Sequence, residues 1–133
     1  MSTAGLPHAL TQAWRVVGWV GVAALIVLSL VPEPPSFTEF QQEDKIGHGL
    51  AYAAIMLWFA QVNLSRGSRT LNALGLLALG VALEFVQGWT GERTFSSGDM
   101  GADAIGIALG WLAAPPRGPD LLTKAGRMLS ALR

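Results

Sequence analysis

Charged residues interrupt this chain only at intervals, and between them lie four long apolar runs at residues 14–31, 46–62, 71–88 and 99–114. The first carries one acidic or basic side chain, Arg15 at its start; the second carries only His48, the third only Glu84, and the fourth, past its opening Asp99, only Asp103. Each run holds about 15 to 18 residues, slightly under the ~20 that cross a bilayer unaided. Four helices that are hydrophobic all round leave no element with a wet face to enclose the others. The pattern therefore predicts an all-α membrane protein with four transmembrane helices rather than a soluble bundle. Pro32, Pro34 and Pro35 end the first helix because proline lacks the donor that a helix interior needs, and Trp14 and Trp89 stand where an aromatic belt would put them. Arg15 before an apolar run is also how a signal peptide begins, but no small-x-small cleavage site follows cleanly and three more apolar runs come after. The first helix is read as retained.

Beyond Pro115, Pro116 and Pro119, residues 120–133 change character. Leu121, Leu122, Ala125, Met128, Leu129 and Leu132 share one face of a helix, with Lys124, Arg127 and Arg133 elsewhere, as in an amphipathic helix lying on a membrane surface and drawn to anionic lipid. Composition agrees with a single membrane domain over residues 1–133: hydrophobic residues make up 51% and charged residues only 14%, against roughly 25% in soluble domains. Nine basic and nine acidic residues balance, which excludes a nucleic-acid binder built on a basic face. With no cysteine, disulfides, thiolate metal sites and cysteine nucleophiles are excluded as well.

The placement of charge sets an orientation. Residues 63–70 hold Arg66 and Arg69 and no acid, and the tail holds Arg117, Lys124, Arg127 and Arg133 against Asp120 alone. The linker 32–45 instead carries Glu33, Glu39, Glu43 and Asp44 against Lys45. The positive-inside bias then puts both termini in the cytoplasm of a multi-pass protein in the bacterial inner membrane. On that topology Lys45 and His48 on the second helix, Glu84 and Gln87 on the third, and Asp99 and Asp103 on the fourth all converge on the outer leaflet. Ionisable groups inside membrane segments are costly, turn toward the bundle interior and mark a functional site by default.

Spacing puts these groups on single faces. Asp44, His48 and Tyr52 are four apart, Glu84 and Gln87 three apart, and Asp99, Asp103, Gly106 and Gly110 four, three and four apart. Ala102, Gly106 and Gly110 also form a small-xxx-small ridge that admits a neighbouring helix closely. Asp44-Lys-Ile-Gly-His48 is echoed by Asp99-Met-Gly-Ala-Asp103, which suggests two parallel repeats around an outward-facing site. Each opening aspartate is placed to cap its helix.

Asp44-Lys45-x-x-His48, Tyr52, Glu84-x-x-Gln87, Arg93, Ser96 or Ser97, Asp99 and the Gly106-x-x-x-Gly110 run together resemble the VanZ-like family of small bacterial membrane proteins, over roughly residues 43–112. The resemblance implies an envelope protein associated with teicoplanin resistance, whose biochemical activity it leaves unassigned. Asp103 stands where the family often has asparagine, which adds a negative charge.

Glu84, His48 and Asp103 are the candidate catalytic groups, and Lys45, Tyr52, Gln87, Arg93 and Asp99 the candidate ligand-binding ones. His48, Glu84, Asp99 and Asp103 offer the nitrogen and oxygen donors that suit a divalent metal cofactor such as Mg²⁺, Mn²⁺ or Zn²⁺. Arg93 and Lys45 at the rim suit a phosphate or carboxylate, as in a lipid-linked precursor or glycopeptide. Three readings stay open: a binding module for an envelope component, a metal- or acid/base-dependent enzyme acting on a lipid-linked substrate, and a structural ion-pair network. Besides the lipid bilayer, a second copy of the chain is an expected partner.

Overall fold

A computed structural model describes residues 7–31, 43–90 and 96–132, although the side chains of residues 43 and 44 are outside that description. These residues form five helices and no strand: α1 (His8–Leu30), α2 (Glu43–Ala60), α3 (Arg66–Thr90), α4 (Ser97–Leu112) and α5 (Leu121–Ala131). Each of the four apolar runs lies largely within one helix. The helices extend beyond the runs at polar ends, where apolar periodicity is silent and local capping decides. At the start of α3 the Ser65 hydroxyl accepts from the Ser68 N–H at 3.1 Å, which begins the helix five residues before the apolar run. With 23 and 25 residues, α1 and α3 are long and apolar enough to cross a membrane. α2 and α4 are shorter, at 18 and 16 residues.

The four long helices run up, down, up and down. Trp14 near the start of α1 stacks on Trp58 near the end of α2, with ring centroids 3.9 Å apart. Each indole N–H also donates to the other residue's backbone carbonyl, at 3.1 and 2.8 Å, so this antiparallel crossing is closed by two hydrogen bonds and a stack. Trp14 is thus half-buried against α2, while Trp89 at the end of α3 is 89% exposed. α1 and α3 are parallel, joined where Gln87 Nε2 donates to the Ser29 carbonyl at 2.6 Å.

α2 and α4 are also parallel, and they share the most extensive contact in the bundle. Lys45 lies against Gly98, Gly49 against Ala102 and Gly106, and Ala53 against Gly110. A Cβ at Gly106 would fall on the carbonyl oxygen of Gly49, and one at Gly110 on that of Ala53. The predicted small-residue ridge is therefore where two backbones touch. Close approach of this kind gains dispersion and Cα–H···O contacts that larger side chains would prevent.

These directions give the bundle two chemically different ends. The C-terminal ends of α1 and α3 and the N-terminal ends of α2 and α4 form a polar end. The residue 61–65 turn and α5 lie at the other, basic end. There Arg69, buried, donates from Nε to the Asn63 carbonyl of the turn at 2.8 Å and from Nη2 at 3.0 Å to the Ala60 carbonyl, which α2 leaves open at its C-terminus. Gln61 Oε1 accepts from Leu121 N–H at 2.9 Å, and Asp120 caps the same helix through Thr123 N–H, so α5 is tied to the bundle at its first turn.

Polarity across the bundle is inverted relative to a soluble fold. Among the residues buried inside are Ser29, Gln61, Arg69, Glu84, Gln87 and Asp103, while Val17, Trp19, Val20, Leu50, Leu71, Phe85, Ile105 and Leu109 are exposed along the flanks of all four long helices. Exposed apolar surface on this scale demands a cover.

The α2–α4 contact yields a paired prediction. Replacing Gly106 with valine drives a branched side chain into the α2 backbone and is expected to lower stability by roughly 1–3 kcal/mol or more, as overpacking does. Gly101→Ala, on the same helix but facing open space, is expected to leave the thermal midpoint unchanged or raise it slightly, because alanine favours helix by about 1 kcal/mol over glycine. Thermal unfolding of the two variants in detergent measures both.

Candidate functional site

The polar end owes its arrangement to the α2–α4 register. Because the two helices are parallel and in contact at Gly49 and Gly106, the residue one position before Gly49 and the residue three before Gly106 face each other. His48 Nδ1 lies 3.4 Å from Asp103 Oδ1, with the carboxylate 3% and the imidazole 12% exposed. That is an ion-pair distance, long for a hydrogen bond. It joins the second polar residue of each half of the echoed Asp-x-x-x-polar pattern, so the echo corresponds to two helices lying side by side in the same direction.

Tyr52, one turn below His48, is wholly buried, and its hydroxyl has no hydrogen-bond partner among the described residues. It is within electrostatic reach of both Asp103 and Glu84. α3 passes this cluster at Gly80, where a Cβ would lie 2.6 Å from Asp103 Oδ2 and 3.2 Å from the Tyr52 oxygen. Only glycine leaves that oxygen pair its room. Neither Gly80 nor its role is signalled by the chemistry-bearing residues; the clue in the sequence is a glycine one turn before Glu84 in an otherwise leucine-rich helix.

Glu84 is buried, and its Oε2 accepts from the Ser96 N–H at 2.9 Å, holding the entry of α4 against α3. Ser96, in turn, caps α4: its hydroxyl accepts from Asp99 N–H at 3.2 Å. The cap expected at Asp99 therefore falls three residues earlier. Ser96-Ser-Gly-Asp99 is a serine followed at the third position by an acid, a helix-start signature present in the sequence. Asp99 sits in the first turn, where a carboxylate meets the positive end of the helix dipole.

The sequence-derived residues thus separate into groups. His48, Tyr52 and Asp103 come together, with Glu84 within electrostatic reach of His48, Asp99 and Asp103. Gln87 is drawn away toward α1, where it bonds Ser29. Lys45 is exposed and its side chain lies along Gly98 at the mouth of the polar end. Arg93 lies outside the described residues, as does the side chain of Asp44. The residues His48, Glu84, Asp99 and Asp103 expected as a metal set do not gather: among the described residues no three histidine, cysteine or carboxylate groups lie close enough to hold a metal ion. The reason is local, since Glu84 is committed to the Ser96 amide and Asp103 to His48.

What remains is a half-buried imidazole with a buried carboxylate and phenol on two parallel helices, roofed by a glycine of a third. This set suits a small group that donates hydrogen bonds, such as a hydroxyl, an amine or water, because Asp103 brings acceptor oxygens and the Tyr52 hydroxyl can also accept. No protein-family model, curated protein or solved structure matches the chain.

A double-mutant cycle tests the central pair. His48→Ala, Asp103→Ala and the double variant are expected to show a coupling of roughly 0.5–3 kcal/mol in unfolding free energy, and simple additivity would show that the two side chains do not interact. Gly80→Ala should disturb the same cluster without removing any polar group, and a midpoint equal to that of the wild type would contradict the packing described for it.

Proposed function

We propose that this chain is a four-span protein of the bacterial inner membrane of the VanZ-like type, with its polar end facing outward, and that the His48–Tyr52–Asp103 cluster binds an envelope component. The observation that carries the reading is the inverted bundle: charged and hydrogen-bonding side chains lie inside, and an apolar surface lies outside. Hydrocarbon is the cover that such a surface accepts without a protein partner. The apolar surface of the shorter α2 and α4 continues that of α1 and α3, which supports counting all four as spans.

Orientation follows from charge. Arg15, Arg66, Arg69, Arg117, Lys124, Arg127 and Arg133 belong to the basic end in sequence, with Asp120 as the acid among them. Every other acid of the chain belongs to the polar end. The positive-inside bias then assigns the basic end to the cytoplasm.

The ligand class follows from the donor and acceptor character of the site. Glycopeptides and lipid-linked cell-wall precursors present hydroxyls and amines at the outer leaflet, which match the acceptor oxygens of Asp103 and Tyr52. Lys45 at the mouth adds a cation for a carboxylate or phosphate on the same guest. The tie between Glu84 and Ser96 holds the pocket wall rather than the guest.

Two experiments check this reading. The chain lacks cysteine, so single substitutions can be labelled cleanly. Ser36→Cys and Thr94→Cys are expected to react with a membrane-impermeant maleimide in intact cells, whereas Ser65→Cys and Ser130→Cys should react only after lysis. The reverse pattern would overturn the orientation, and labelling of all four would overturn the spans. For function, expression in a glycopeptide-susceptible bacterium is expected to raise the inhibitory concentration of teicoplanin, with the effect lost in Tyr52→Phe and Asp103→Leu variants that still reach the membrane. No rise with the wild type would remove the antibiotic-linked reading.

A further inference from the structure

The polar end does not use the chemistry of the opposite end, where α5 is docked. Leu122 and Gly126 of α5 are buried against the bundle. At about 100° of rotation per residue, Leu121, Ala125, Met128 and Leu132 form the flank next to that buried seam, and Lys124 and Arg127 lie beyond it on the side away from the seam. Met128 and Leu132 are 71% and 83% exposed. The sequence around the helix is therefore bundle, apolar flank, cations. A helix pressed against the rim of a membrane-embedded bundle needs that order to sink its flank into acyl chains while its cations stay among headgroups.

Among the described residues no acidic side chain pairs with the exposed cations of this end. Arg66, Arg117, Lys124 and Arg127 are all exposed. Arg117 is close enough to buried Arg69 for the two positive charges to interact. Asp120 is occupied with the helix cap, Oδ1 accepting from Thr123 N–H at 2.9 Å and Oδ2 from the Thr123 hydroxyl at 2.8 Å. Exposed cations beside an exposed apolar flank are complementary to one occupant, a phospholipid whose headgroup carries net negative charge.

We infer that the basic end, formed by α5 with Arg117 and the Arg66 turn, is a binding surface for anionic phospholipid, distinct from the pocket at the polar end. It selects the headgroup by charge and holds the acyl chains by the Met128–Leu132 flank. Each cation near an anionic surface is worth about a fivefold preference. The inference rests on the reading that the bundle is embedded in a membrane, and it requires nothing of the outer pocket.

The test uses the full chain purified in a non-ionic detergent. Phosphatidylglycerol, phosphatidylcholine and inorganic phosphate are titrated separately, and the thermal midpoint and the lipid retained in native mass spectrometry are read. The expected result is a midpoint rise and preferential retention with phosphatidylglycerol alone, weakening as salt increases. The Lys124→Gln, Arg127→Gln double variant should bind about fivefold more weakly for each cation removed. Equal effects of the two lipids, or an equal effect of inorganic phosphate, would overturn the inference. The salt series on the wild type decides the matter even if the variant does not fold. Alkaline carbonate extraction of host membranes keeps the two readings separable. A chain that resists extraction but ignores phosphatidylglycerol loses only this inference, whereas one released by carbonate loses the spans and, with them, this inference.

Discussion

The bundle depends on two backbones being allowed to touch. Where Gly106 faces the Gly49 carbonyl and Gly110 faces that of Ala53, α2 and α4 approach more closely than side chains would permit. Everything at the polar end follows from that contact. It sets the register that brings His48 opposite Asp103, it leaves Tyr52 buried beside them, and it obliges the connecting helix to return antiparallel and cross the pair at a glycine. Two parallel neighbours cannot be joined by a tight turn, so the 25 residues of α3 are as much a consequence of the α2–α4 pairing as an element in their own right.

The second constraint is that every polar group carried into the interior must find company there. Gln87 finds the Ser29 carbonyl, Glu84 the Ser96 amide, and Arg69 two carbonyls of the residue 60–63 turn. Each bond also ties two elements together, because an unpaired polar group in an apolar interior is expensive and its partner becomes hard to exchange. Against this background the Tyr52 hydroxyl stands out. It is buried as deeply as any of these groups and, like Asn72 Nδ2 on α3, has no hydrogen-bond partner among the described residues, unlike the three groups that tie elements together.

Much of this arrangement is legible in the sequence. The apolar runs locate the helices, the small-xxx-small spacing of Ala102, Gly106 and Gly110 marks a close helix contact, and the Asp44 and Asp99 echo aligns the two helices that meet. What is not legible are choices among partners. Gln87 and Glu84 lie on one face of α3, yet one turns to α1 and the other to the loop before α4, a division that depends on where three other helices end. The expected metal ligands stay apart for the same reason, since helical spacing shows which residues share a face and not which neighbour claims each carboxylate. Trp14 and Trp58 are 44 residues apart, and nothing local to either announces a mutual stack.

The parallel pairing of α2 and α4 also has a cost measured in time. His48 leaves the ribosome well before Asp103, separated from it by the whole of α3. At synthesis rates of about 5–20 residues per second, α2 exists for roughly three to ten seconds before α4 is available to lie beside it. During that interval Gly49 and Ala53 present bare backbone without α4 against it, and α1, already made, meets α2 elsewhere, at Ile55, Trp58 and Phe59. The chain made before α3 thus holds α1 and α2 with the α4-facing surface of α2 still open, a surface that only the last long helix can cover.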